Sequence, residues 1–257
     1  MGRIKMEEKI IYEVLRVIDE VPIFLEAHIK RMENSFRIVG KEFPLKVEDV
    51  YKKINDVIKK ENKNIGNIKL TYGLESKELK VFFIEHSYPD KELYEKGVKT
   101  ILYFGERTNP NAKIINDDFR SRVNAEIKKE KAYEAVLVDR NGFITEGSKS
   151  NIFMVKGHKL ITSPVKAVLP GVTRGEIIDI AKKIGITVIE DEFSFKDIDK
   201  LDGMFISGTS PKVLPINQVN STKLNPKNEI IKEILENYNK EIEIYVKNMT
   251  KNKKYIE

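Results

Sequence analysis

Apolar positions recur with two different periods along this chain, and the switches between them mark out its elements. Residues 11–19 (IYEVLRVID) are apolar and rich in β-branched side chains, which predicts a strand. Beyond it, Pro22 with Phe24 and Leu25 opens a helix whose Leu25, Ile29, Met32 and Phe36 share one face. That face excludes Arg31, whose side chain must point elsewhere. Val47, Val50, Ile54, Val57 and Ile58 predict a second amphipathic helix over residues 47–62. Two strands, at 68–72 and 79–85, flank the polar turn Glu75-Ser76-Lys77.

Tyr88-Pro89-Asp90 reads as a break, which places a small N-terminal α/β domain at residues 1–89 and a larger domain at 90–257. A strand at 98–104 leads into a polar, proline-marked loop (106–118) and a helix at 119–132. Four short strands follow, at 135–139, 142–145, 150–155 and 160–162, with Gly157-His158 turning the last pair. Leu169-Pro170-Gly171-Val172-Thr173 opens a helix that carries Ile177, Ile178, Ala181 and Ile184 and ends at Gly185. A strand at 187–191, a short helix near Asp197 and a strand at 204–207 complete the body, and the charge pattern of a helix at 226–249 predicts a mostly solvated element. Strands with interspersed helices argue for an α+β fold, not a doubly wound sheet.

Composition narrows the function classes. No run of eighteen apolar residues exists, so no membrane span is expected. The N-terminus has no apolar core followed by a small-residue cleavage site, so no signal peptide is read. The absence of cysteine removes disulfides, iron–sulfur clusters and cysteine-ligated zinc, and a cytoplasmic location fits. With three histidines (His28, His86, His158), no metal cluster is spelled out. The net charge of +6 raises the question of nucleic acid. Its lysines are interspersed with glutamates, as in KKENK, and stacking aromatics are not interleaved with them, so no nucleic-acid partner is expected.

Three segments suggest chemistry. Thr145-Glu146-Gly147-Ser148-Lys149-Ser150-Asn151 sets an acid between two strand-like runs beside small polar residues. Leu169 to Arg174 ends in the free N–H groups of a helix start, which suit a phosphate because they lack partners and the helix dipole is positive there. Ser207-Gly208-Thr209-Ser210 places hydroxyls directly after a strand. Two phosphate-friendly spots suggest a phosphorylated ligand, while neither GxGxxG nor GxxxxGK[ST] occurs. Neither Ser148 nor Thr209 has an evident His/Asp arrangement to activate it as a nucleophile.

YEAVLVDRNGFITEGSKSNIFMV, ITSPVKAVLPGVTRGEIIDIAKKIGI and MFISGTSPKVLPI, in that order, resemble the class IV aminotransferases, the fold-type IV pyridoxal-phosphate enzymes. That family includes branched-chain and D-amino-acid aminotransferases and aminodeoxychorismate lyase. The resemblance runs from Ile11 to about Val219 and implies a small N-terminal α/β domain, a larger C-terminal pseudo-barrel domain and pyridoxal 5'-phosphate as cofactor. It implies that Lys113, in the K-x-x-N pattern Lys113-Ile114-Ile115-Asn116 ahead of Tyr133-Glu134-Ala135, is the catalytic Schiff-base lysine; Lys128, Lys129 and Lys131 on the following helix are poorer candidates. Glu146 would partner the pyridine nitrogen, and Arg31, in His28-Ile29-Lys30-Arg31-Met32, the phosphate, with His28 supporting the packing around Arg31. Val172 and Thr173 would add backbone donors and Thr209 its hydroxyl and N–H, with Leu169 against the ring. Ser148 and Asn151 would border the cofactor, and Tyr12 and Ser210 would face the substrate.

The chain also departs from the family. About eleven residues precede Tyr12, so an edge strand and part of the active-site wall are expected to be missing. The arginine–histidine pair of the D-amino-acid enzymes has no counterpart, nor has the lyases' R-G-x-G-R-G-Y-like segment. The branched-chain enzymes' arginine is replaced within Lys69-Leu70-Thr71-Tyr72, and Asp117-Asp118 stands where a tyrosine often follows K-x-x-N. The expected activity is amino transfer between a branched-chain-like or D-amino acid and a 2-oxo acid, in a homodimer. The alternatives are the lyase branch, acting on 4-amino-4-deoxychorismate, and a non-catalytic binding protein on the same scaffold.

Overall fold

The computed structural model describes residues 8–252, and those residues form two compact units. The first holds the chain up to His86, the stretch Ala112–Ile115 and the residues from Val246 onward; the second holds Ser87–Asn111 and Asn116–Tyr245. A single cut after residue 89 lies close to the first boundary and leaves out the excursion of Ala112–Ile115. The readings of the N-terminus, as lacking a signal peptide and an added strand, bear on residues 1–7, outside the described ones. No helix among the described residues is long and apolar enough to cross a membrane.

In the first unit the chain runs through β1 (Ile10–Ile18), β2 (Val21–Pro22), α1 (Leu25–Ile38), α2 (Val47–Glu61), β3 (Ile65–Gly73) and β4 (Leu79–Ile84). The strands form an antiparallel sheet in the order β2-β1-β3-β4. Because side chains alternate along a strand, Ile11, Leu15 and Val17 share a face with Ile68, Leu70 and Tyr72. That face meets Leu25, Ile29, Met32 and Phe36 of α1 and Val50, Ile54 and Ile58 of α2. Each fully buried apolar side chain there contributes about 1.5–3 kcal/mol. Pro22 lies in β2 rather than in the helix, whose first residue is Leu25, behind Phe24 in a left-handed conformation. Proline's fixed φ suits an edge strand as well as a helix start, so the residue alone does not choose. Acids open α2 and lysines close it, matching its dipole, and Asn62 ends it at φ 49°.

The second unit continues with α3 (Lys91–Lys96), β5 (Val98–Phe104), α4 (Asp117–Lys129), β6 (Glu134–Val138), β7 (Phe143–Gly147), β8 (Asn151–Lys156) and β9 (Lys159–Thr162). After them come α5 (Val172–Lys183), β10 (Thr187–Glu190), β11 (Phe193–Ser194), β12 (Gly203–Gly208), β13 (Lys212–Val219), β14 (Thr222–Lys223) and α6 (Glu229–Asn252). Strands β8-β12-β13-β5-β6-β7 are neighbours in that order, and β7 pairs back onto β8 through Glu146 and Asn151, so the sheet closes into a ring. Closure satisfies strand edges that would otherwise be open. Within the ring β5 runs parallel to both β13 and β6, and the remaining pairs are antiparallel. Val136, Ile144, Ile152, Met154, Met204, Ile206, Leu214 and Ile216 share one core. Ile101, Val123, Ala135 and Leu137 make a second.

Three differences from the sequence expectation have physical reasons. Strand β13, central in the ring, was hidden by Pro211 and Pro215, which read as breakers; Pro215 pairs with Phe205 of β12, and the registered partners of β5 begin only at Ile216. Helix α4 starts earlier and stops at Lys129, because the Asn116 side chain accepts from Phe119 N–H at its N-terminus, and Lys131 lies beyond it at φ 49°. Helix α6 is not mostly solvated: Ile231, Ile234, Tyr238 and Ile242 are buried beneath its charged residues.

Candidate active site

In the second unit the β7–β8 junction holds Glu146, near the end of β7 and 3% exposed. Its Oε2 accepts the Leu169 N–H at 2.9 Å, and its Oε1 accepts Arg107 Nη1 at 3.0 Å. Asn151, registered opposite Glu146, donates its Nδ2 to the Leu169 carbonyl at 2.9 Å, so the main chain at Leu169 is held from both sides. A Cβ on Gly171 would lie 2.0 Å from Asn151 Oδ1, so any other residue there would have to displace the Asn151 amide that holds the Leu169 carbonyl. Val172 and Thr173 begin α5. No side chain caps that helix and no acid stands in its first turn, which leaves an electropositive end whose first N–H donors take no side-chain cap. Thr173 is buried, its Oγ1 3.5 Å from Tyr238 Oη. Thr209 and Ser210 form the turn between β12 and β13.

Ser148 faces a different carboxylate. Glu134 is buried, and its Oε1 accepts from Ala135 N–H, Ser148 N–H and Ser148 Oγ at 2.9, 3.1 and 2.5 Å. Its Oε2 takes Ser150 Oγ at 3.1 Å and Lys149 N–H at 3.3 Å. Glu134 entered the sequence reading only as a landmark before a strand. An acid leading an unbroken apolar run, AVLV, is the signal that marks it as buried.

In the first unit Ala112–Ile115 lies along β1. Lys113 carbonyl accepts Tyr12 N–H at 3.0 Å, Ile115 N–H reaches the Ile10 carbonyl at 3.1 Å, and Lys113 N–H donates to Ser35 Oγ at 3.1 Å. The backbone of Lys113 is thus fixed on two sides, and its Nζ stands 4.7 Å from the centre of the Tyr12 ring. Arg31 and Ser35 line up on α1 with His28 as a buried polar strip beside the apolar one. The strip meets Glu13: Arg31 Nε donates to Oε1 at 2.8 Å and Nη2 to Oε2 at 2.5 Å, and His28 Nδ1 lies 2.9 Å from Oε2. Arg31 Nη1 gives no hydrogen bond to the described residues. Burial raises the Glu13 pKa, but the Arg31 charge and the hydrogen bonds from Arg31 and His28 outweigh it and hold the carboxyl at about 2. Burial lowers that of His28, assisted by the charges of Arg31 and Lys113 and opposed by Glu13.

Within the first unit the structure therefore brings Tyr12 to Lys113 and commits one edge of Arg31 to Glu13. Within the second it brings Glu146, Leu169 and Asn151 to the start of α5, and turns Ser148 to Glu134. Sequence reasoning missed Glu13 as the partner of Arg31, although an acid alternating in step with Ile11, Leu15 and Val17 is a legible sign of burial. It also left Arg107 within the polar loop at 106–118, with no role. Among the described residues no cluster of three or more His, Cys, Asp or Glu side chains could hold a metal ion.

A closed ring of strands that carries a buried carboxylate beside an uncapped helix start has the architecture of the fold-type IV class. The model for amino-transferase class IV matches residues 10–219, and the chain belongs to that family. It is 30% identical over 248 residues to a protein of Methanocaldococcus jannaschii provisionally assigned as a branched-chain-amino-acid aminotransferase, covering 89% of this chain and 85% of the relative. A Thermotoga maritima structure with the same provisional assignment superimposes with a TM-score of 0.81 at 27% identity, covering 90% of this chain and 84% of that one. A Legionella pneumophila structure provisionally assigned as a 4-amino-4-deoxychorismate lyase shares the fold, with a TM-score of 0.81 at 21% identity and 91% coverage of each chain. Class IV aminotransferases use pyridoxal phosphate, and the residues of the second unit fit it: a buried acid for a ring nitrogen and an electropositive helix end for a phosphate.

Proposed function

We propose that this aminotransferase moves the amino group of a branched-chain-like amino acid to a 2-oxo acid, with Lys113 as the residue that bonds the cofactor. The supporting observation is the lysine's setting: main chain tied to β1 and to Ser35, amine over Tyr12, next to a buried Glu13–Arg31–His28 network. When bound, pyridoxal phosphate supplies an electron sink for the substrate α-carbon. Glu146 would partner the ring nitrogen, and a carboxylate there would favour that nitrogen's protonated form. Val172, Thr173 and Thr209 offer donors to the phosphate, and Arg31 the Nη1 edge that Glu13 leaves over. Leu169 would pack on the ring, and Tyr12 and Ser210 would border the substrate. The Lys113 amine would move a proton at the substrate α-carbon, serving as base and then as acid.

The active form is a homodimer, and the protein works in the cytoplasm. The assignments of the relatives favour branched-chain substrates over D-amino acids. Purified enzyme should consume L-leucine, L-isoleucine or L-valine with 2-oxoglutarate and bleach its visible absorbance in the process. Lys113→Ala should lose that turnover by several orders of magnitude; undiminished transamination by this variant would end the assignment. Release of fluorescent 4-aminobenzoate from aminodeoxychorismate, without amino transfer, would establish the lyase reading in its place.

A further inference from the structure

Arg174, in the first turn of α5, is a buried cation to which the reading above gives no task. It is 5% exposed, and its Nη2 donates to the Ser163 carbonyl at 2.9 Å and to Glu190 Oε2 at 2.6 Å. Its Nε is buried with no hydrogen-bond partner among the described residues. An N–H taken out of water and left unmatched is a cost that an apolar side chain of similar length would avoid. What the guanidinium offers in return is the pair of bonds from Nη2.

Those bonds reach past the helix. Ser163 follows β9 and is buried, and its Oγ donates to the Ile144 carbonyl of β7 at 2.7 Å. Ile144 stands two residues before Glu146. A path from Arg174 through Ser163 to Ile144 therefore ties the first turn of α5 to the strand that carries the buried acid. A second tie runs from the Leu169 N–H to Glu146 Oε2, but it uses the carboxylate itself. The Arg174 path draws on no atom of Glu146, so it holds the same spacing whatever that carboxylate binds. Glu190, on β10, is exposed at the other end of the Nη2 pair, which leaves the Ser163 bond as the better shielded one.

We propose that Arg174 is a positioning residue: through Ser163 it sets the spacing between the start of α5 and Glu146, so that one rigid ligand can meet both at once. The inference rests on the reading of Glu146 and the α5 start as the ring and phosphate ends of the cofactor site. Two weak contacts reinforce each other only when their separation matches the ligand that joins them.

The test titrates cofactor-free, full-length protein with pyridoxal phosphate, with pyridoxal, which lacks the phosphate, and with inorganic phosphate, which lacks the ring. Arg174→Met should raise the Kd for pyridoxal phosphate about tenfold or more, while the other two Kd values move by no more than about twofold. Arg174→Lys should recover most of the loss, because one ammonium can donate to both acceptors that Nη2 serves. Ser163→Ala cuts the same path at its other end, should give the same pattern, and decides the matter if Arg174→Met does not fold. An unchanged Kd for pyridoxal phosphate in a folded Arg174→Met or Ser163→Ala variant would overturn the proposal. So would a loss of inorganic phosphate in step with pyridoxal phosphate, the mark of a charge or folding effect confined to the helix end. An original protein that binds pyridoxal as tightly as pyridoxal phosphate would refute the reading of the helix end, and the proposal would fall with it.

Discussion

Glu134 and Glu146 belong to the same ring of strands and are almost equally hidden from solvent, yet their surroundings differ in kind. Glu134 is enclosed by its own hairpin, with donors from residues 135 and 148–150 filling both oxygens. The partners of Glu146 include the Leu169 N–H and Arg107, an arginine that remains 19% exposed. A carboxylate saturated by short-range donors organises a turn and has no capacity for anything else. A carboxylate whose main partner can hydrate is able to trade that partner for a ligand cation. Burial alone does not distinguish the two; the identity and mobility of the donors does.

Replacing Glu134 by alanine should have the largest effect on stability, because three N–H groups and two hydroxyls lose their acceptor together. A loss on the order of 3–5 kcal/mol is expected in urea unfolding, with Glu134→Gln recovering part of it. Glu13, the buried carboxylate of the first unit, sharpens the contrast through pH. Its folded pKa lies below the ordinary value, so its stabilisation is complete above pH 4.5 and fades as pH falls toward about 2. The loss should amount to about 3 kcal/mol, read from unfolding free energies along an acid series. His28 acts earlier: its pKa is depressed from 6.5, so stability should already slope downward below that pH. Glu13→Gln should erase the lower step and leave the upper one. The smallest effect on stability belongs to Glu146→Gln, about 1 kcal/mol, since glutamine still accepts from Leu169 and Arg107 can turn to water. The same variant should nevertheless lose most transaminase turnover. A Glu146 variant as unstable as the Glu134 one would remove the distinction drawn between them.

Much of this arrangement was readable before any coordinates. The 3.6-residue strip of Leu25, Ile29, Met32 and Phe36 and the strand at β1 follow from apolar spacing, and the ordered motifs around Glu146, Leu169 and Thr209 carry the family. Asn116 gives the K-x-x-N pattern a physical meaning, since it caps α4 and so leaves Lys113 in an extended segment. What escaped has a common cause. The Glu13–Arg31 pair, the Arg107–Glu146 pair and the Lys113–Tyr12 contact join residues distant in sequence, and their meeting is set by strand register and loop path. Prolines concealed β13 because its neighbours, not its own propensities, make it a strand.

The central claim concerns one amine. The protein reconstituted with pyridoxal phosphate, reduced with borohydride and digested should carry the phosphopyridoxyl group on the peptide that contains Lys113, at close to one group per chain. Label on a different lysine, or none above the level of the Lys113→Ala variant, would contradict the account.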